Sequence, residues 1–209
     1  MLHGDPINLA KFMGSNLWPG LVIWTLLYCS DYYLTLACAR MYRDRVREMI
    51  AFEGSFEITP SYQQDIDALR RWSPRFVKAL ARSLILLPLF WWCSMQLREP
   101  AFYLFLLGAL ILVEVPIHTR HLKNFFLFRD LIRIGGVRGR IEYPRPVTLR
   151  LSATEFLIWA GLFGVLFLIT REWFVLGGAF KCAVVALKHR KLAEQHVANA
   201  AAAKASAAV

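Results

Sequence analysis

Acidic residues, histidine and cysteine are all scarce in this chain, and each shortage closes off a class of function. Fifteen Asp and Glu stand against 25 Lys and Arg, giving a formal net charge of +10, and charged residues make up only 19% of the sequence. Five histidines are too few for a histidine-rich membrane di-iron site of the desaturase kind. The cysteines, Cys29, Cys38, Cys93 and Cys182, lack Cys-x-x-Cys spacing and fall in apolar stretches. They read as packing residues, with no disulfide or metal framework. No Walker or Rossmann glycine pattern occurs. No cofactor and no catalytic residue is expected.

What is abundant is apolar surface. The chain is 57% hydrophobic with a mean hydropathy of +0.41, against about 45–50% apolar for an ordinary soluble domain. Five stretches stand out: 17–39, 76–97, 101–118, 151–170 and 173–188. A helix rises about 1.5 Å per residue, so the first four can cross a hydrocarbon layer of about 30 Å with modest help from their flanks. The fifth is short and needs flanking residues to complete a span. Pro88 is expected to kink the second. The fold class expected is therefore an all-α integral membrane protein, a five-span transmembrane helix bundle. Residues 1–191 form one membrane domain and 192–209 an Ala-rich tail.

The basic residues fix an orientation. Lys11, Arg98 and Arg171 lie on one side of the spans, and Arg82 and Lys181 lie within them. The other twenty all fall in 40–78, 118–150 and the C-terminal region. The positive-inside rule puts the N-terminus outside and the C-terminus in the cytoplasm. An odd number of spans requires the same. Thr170-Arg171-Glu172-Trp173 is then a tight external hairpin. This charge placement argues for anionic headgroups at the cytoplasmic face as partners, and against nucleic acid. A bacterial-type inner membrane fits. Ala37-Cys38-Ala39 resembles a signal cleavage site, but the apolar stretch before it is long and contains Asp31, so it reads as an uncleaved span.

Two cytoplasmic loops, 40–75 and 119–150, should form a layer of short helices. Met41, Val46, Met49, Ile50 and Phe52 recur at helical spacing, so the first span is expected to continue as an amphipathic helix to about Phe52. Thr59-Pro60 reads as the start of a helix over 61–72. The third span should continue through Phe125 and Phe128 to Ile134 and break at Gly135-Gly136. Alternation over 137–146 suits a short extended or hairpin element at the membrane surface.

Four constellations could carry chemistry. Asp31 lies inside the first span among Tyr28, Tyr32 and Tyr33. A carboxylate there costs about 2.5–3.5 kcal/mol unless it is paired or hydrated, so it marks an ion or proton pathway or a buried pair. Lys181, at similar depth in the fifth span, is the expected partner, with Glu114 contributing to a pathway. Glu114, His118 and His121 share one helix face through their i, i+4, i+7 spacing, a set that could ligate zinc or iron. Glu53, Glu57, Asp65 and Asp67 could hold a divalent cation or pair with nearby arginines. Arg133, Arg138 and Arg140, among Gly135, Gly136 and Gly139, could contact a lipid headgroup. Ala39-Arg40 resembles the end of the Asp-rich motif of CDP-alcohol phosphotransferases. The preceding glycine and the paired aspartates are missing, and the match fails. Gly161, Gly164, Gly177 and Gly178 allow close helix packing, within the hairpin or between protomers.

These features rank three functions. The first is a homo-oligomeric ion or small-solute channel or transporter using Asp31. The second is a non-catalytic scaffold subunit of a larger membrane complex. The third is a membrane enzyme acting on a lipid phosphate.

Overall fold

The computed structural model describes residues 9–134 and 139–207. The chain is almost entirely helical. A short helix α1 (Leu9–Ser15) leads into α2 (Leu17–Met41), which closes in a π-helical turn over Tyr42–Val46. Strand β1 (Ile50–Phe52) and the five-residue α3 (Gln63–Asp67) follow. Then come α4 (Pro74–Gln96), α5 (Pro100–Ile111), α6 (Glu114–Ile134), strand β2 (Ile141–Tyr143), α7 (Arg145–Thr170) and α8 (Trp173–Ala207).

Four helical units are long and apolar enough to cross a membrane: Leu17–Val46, Pro74–Gln96, Pro100–Ile134 and Arg145–Thr170. The last unit before β2 joins α5 and α6 across a turn at Leu112–Val113. Helix α8, which contains the fifth expected span, is not among the four. Lys181, Lys188 and Arg190 interrupt its apolar part. It nevertheless packs along both α7 and α5. The expected hairpin is present: Arg171, in the left-handed conformation at φ 58°, caps α7 and α8 starts two residues later. α8 continues without interruption through the Ala-rich tail to Ala207.

Glycine decides how α8 meets α5. A Cβ on Gly108 would land on the Phe174 carbonyl, and one on Gly177 would land on the Phe105 carbonyl. The two backbones touch with no room for a side chain, as in small-residue membrane interfaces. Gly178 meets Leu112 in the same seam. Gly161 and Gly164 on α7 face open space, so they pack nothing within the chain.

The apolar core splits by depth. Trp24, Leu87, Tyr103, Leu104 and Leu107 fill the end near the N-terminus. Phe156, Phe163, Ala179 and Cys182 pack the α7–α8 hairpin. At the basic end, Tyr42, Val46, Ile50 and Phe128 form a third cluster, with Phe52, Phe56 and Tyr143 against it.

The basic-end layer departs from expectation. The helix of the first span stops at the π turn, and Ile50–Phe52 is a strand. β1 pairs in parallel with β2 in the register Ile50–Ile141, Ala51–Glu142 and Phe52–Tyr143. The Tyr42 hydroxyl accepts the Phe52 N–H at 2.9 Å, which fixes the bend between helix and strand. The expected helix over 61–72 shrinks to α3. Its successor α4 takes over the start signal: Ser73 caps α4, accepting the N–H groups of Arg75 and Phe76, with Pro74 in the first turn. The extended element expected within 137–146 is β2. The Gly135-Gly136 break and Arg138 lie outside the described residues.

Candidate functional site

α2 and α6 pack along each other and press two polar faces together. From α2 come Ser30, Asp31 and Thr35, at helical spacing. From α6 come Glu114, His118 and His121. Asp31 Oδ1 lies 3.3 Å from His121 Nε2. The Thr35 hydroxyl meets the same nitrogen at 3.1 Å and donates to Asp31 at 3.5 Å. One turn away, Ser30 Oγ meets His118 Nε2 at 2.7 Å. His118 Nδ1 turns back to the Glu114 backbone carbonyl at 2.9 Å. The Cys38 thiol donates to the His121 carbonyl at 3.4 Å, which ties the two helices together beside the pair.

The partner of Asp31 is therefore His121 and not Lys181. Lys181 sits on α8, which runs against α5 and α7, so its helix face never reaches α2. No hydrogen bond or ion pair involves Lys181 among the described residues. The tyrosines do not hold Asp31 either. The Tyr28 hydroxyl bonds that of Tyr62 at 2.7 Å, and the Tyr32 hydroxyl donates to the Arg70 carbonyl at 2.7 Å. Both instead frame a cavity of about 120 Å³ that Asp31 and His121 line. The Asp31 side chain keeps 25% of its exposure.

Glu114 is the most enclosed acid of the set, only 4% exposed. Its Oε2 has no hydrogen-bond partner among the described residues. His118 Nδ1 is 3.5 Å away, but that nitrogen is committed to the Glu114 carbonyl. His121 Nδ1 is likewise buried and unpartnered. An orphaned buried polar atom costs about 1–3 kcal/mol, so two in one seam call for an explanation beyond packing.

The expectation of a metal at Glu114, His118 and His121 is not met. Among the described residues, no group of three or more His, Cys, Asp or Glu side chains could hold an ion. The three share a helix face, but their ring nitrogens diverge: His118 reaches Ser30 and His121 reaches Asp31. The acidic set is dispersed too. Glu53 accepts the Arg145 N–H at 2.7 Å, and Glu57 accepts the Thr59 N–H at 2.6 Å. Asp65 holds Ser73 at 2.6 Å and Arg70 at 3.2 Å. Asp67 accepts from Ser55 at 2.7 Å. Each carboxylate fastens a loop. Of the arginines proposed for lipid headgroups, Arg133 is exposed on α6 and Arg140 pairs with Glu142 at 2.8 Å.

Two groups of residues escaped the sequence reading because they hid among topogenic arginines. Arg145, 8% exposed, donates to the carbonyls of Ser55, Glu57 and Ile58. It latches the 53–58 loop onto the start of α7. The flanking prolines, Pro144 and Pro146, were the available signal. Arg120 of α6 donates to Ser152 Oγ of α7 at 2.6 Å, and Ser152 meets His189 Nδ1 of α8 at 2.9 Å. This three-helix link had no local signal. His189 lies just past the 173–188 stretch. Burial, with Arg120, Lys188 and Arg145 nearby, pushes its pKa down to about 4.

No protein-family model, curated protein or solved structure matches this chain.

Proposed function

We propose that this chain is a polytopic membrane protein forming an ion or small-solute pathway as a homo-oligomer, with the Asp31–His121 pair as its ionisable centre. One observation carries the reading. Asp31 sits 3.3 Å from an imidazole at the edge of a 120 Å³ cavity and retains a quarter of its exposure. A merely structural pair would be sealed, whereas an acid and an imidazole open to a cavity can exchange protons. Glu114, buried with an unpartnered oxygen, extends the chain of ionisable groups along α6. Toward the N-terminal end of the bundle the seam is closed by Trp24, Leu87, Tyr103 and Leu107. A complete path therefore runs between protomers, which is why the reading requires oligomerisation.

The topology that goes with this reading has five spans. Residues 173–188 of α8 form the fifth, the N-terminus is outside, and the basic-end layer faces the cytoplasm of a bacterial-type inner membrane. Anionic headgroups pair with that layer.

The test is flux. Wild-type protein reconstituted alone in liposomes should pass protons or a monovalent cation, and Asp31→Asn should reduce the rate at least tenfold while keeping its thermal stability. A folded wild type without flux overturns the reading. It would favour the second one, a scaffold subunit, which the open outer face of α7 at Gly161 and Gly164 also supports.

A further inference from the structure

A second cavity, of about 560 Å³, opens between α6, α7 and the 50–58 segment. Its depth follows from counting. Arg120 is twenty residues along from Pro100, the start of the α5–α6 unit, which is about 30 Å of rise and about one hydrocarbon thickness. Ser152 is eighteen residues from the far end of α7, about 27 Å. In the topology proposed above, Arg120 and Ser152 therefore fall together where acyl chains give way to headgroups.

The chemistry of the cleft is divided. Arg120 and Lys123 face it from α6, while Leu151, Ile158 and Trp159 line it from α7. Leu151 and Ile158 are 58% and 59% exposed, so the apolar wall is open along its length. Arg120 is the unusual member. Its side chain is only 17% exposed, yet one of its five N–H groups has an acceptor, Ser152 Oγ. Glu155, which also lines the cleft, pairs with Arg120 at 4.0 Å, a distance that leaves the guanidinium N–H groups without a second hydrogen bond. Lys123 has no ion-pair partner among the described residues. Glu57 also lines the cleft, but an oxygen of its carboxylate is occupied by the Thr59 N–H. A guanidinium held by Ser152, itself bonded to His189, and lying 5.5 Å over the Phe156 ring, lines this amphipathic cleft as a preorganised hydrogen-bond donor to a pair of phosphate oxygens.

We infer that this cleft binds one phospholipid, its phosphate on Arg120 and Lys123 and an acyl chain along Leu151, Ile158 and Trp159. The site differs from the α2–α6 seam in its ligand and in Lys123, while Arg120 and His121 border both cavities.

Delipidated protein in mild detergent, titrated with phosphatidylglycerol and read by native mass spectrometry, tests this. The wild type should retain one lipid per chain. Lys123→Gln, at an exposed position that tolerates change, should lower occupancy at least threefold, and Arg120→Gln at least tenfold. Arg129→Gln, an exposed residue on the same helix paired with Asp130, should leave occupancy unchanged. Equal occupancy in wild type and Lys123→Gln overturns the assignment, whether or not Arg120→Gln folds. Glycerol phosphate in millimolar excess should fail to displace the lipid. Full displacement would mean a soluble-phosphate site and overturn the lipid assignment.

Discussion

At the scale of single residues, several buried polar side chains hold loops and helices together. Arg145 is a latch: three loop carbonyls accept from its guanidinium, and no other side chain could span them. Arg145→Ala should lower stability by about 2–4 kcal/mol, the cost of leaving those three carbonyls without their donor, while the Glu53 carboxylate keeps the backbone N–H of residue 145. Unfolding in detergent by heat or denaturant measures it. A change below about 0.5 kcal/mol would mean that the loop holds itself. His189 gives a pH signature. Its folded pKa, about 4, lies below the ordinary 6.5, so the folded state keeps the ring neutral where the unfolded chain takes up a proton. Its stabilising contribution is complete above about 6.5 and is lost as pH falls toward 4. Thermal unfolding between pH 7 and 4.5 should show that decline, and His189→Gln should flatten it. Equal slopes would remove His189 as the cause. The sequence made Asp31 visible, since a charge in an apolar stretch is a local signal. It did not reveal the partner. Similar depth pointed to Lys181, but depth leaves the facing direction open, and His121 lies ninety residues away in sequence.

At the scale of elements, hydrophobicity alone located α4 to within two residues, found the end of α7 at Thr170 but not its start at Arg145, and put the α7–α8 hairpin at Arg171. Those features depend on local composition. β1 did not yield to the same reasoning. Met49, Ile50 and Phe52 satisfy a helical period and an extended one equally over so short a run. The parallel partner at Ile141–Tyr143 decides between them. The glycine pairs were read as packing signals, and two of the four act that way within the chain. Gly177→Val should push α8 off the α5 backbone and destabilise by about 1–3 kcal/mol, because the Phe105 carbonyl cannot move aside as a side chain could. Gly161→Val should stay within about 0.5 kcal/mol in a monomeric detergent state. If Gly161→Val instead loses stability only where oligomers persist, α7 is the contact between protomers.

At the scale of the whole molecule, the helical membrane character was legible from composition, and four membrane-length helical units bear it out. Whether α8 makes a fifth crossing is a separate question that labelling answers. In a cysteine-free background, Ser61→Cys, Thr170→Cys and Ala205→Cys can be challenged with an impermeant maleimide on intact cells. Five spans with the basic layer inside predict labelling at Thr170→Cys alone. Labelling at Ala205→Cys as well would return α8 to the outer side and reduce the crossings to four. The latch at Arg145 also bears on the order in which the molecule is made. The loop it clasps is translated some ninety residues earlier, and two membrane-length units emerge between the two. Until α7 begins to leave the ribosome, the 53–58 loop has neither its strand partner nor its guanidinium. The layer at the basic end therefore closes only after α4, α5 and α6 have been made, and a chain stalled before Arg145 would present that loop, unclasped, to whatever surveys nascent proteins at the membrane.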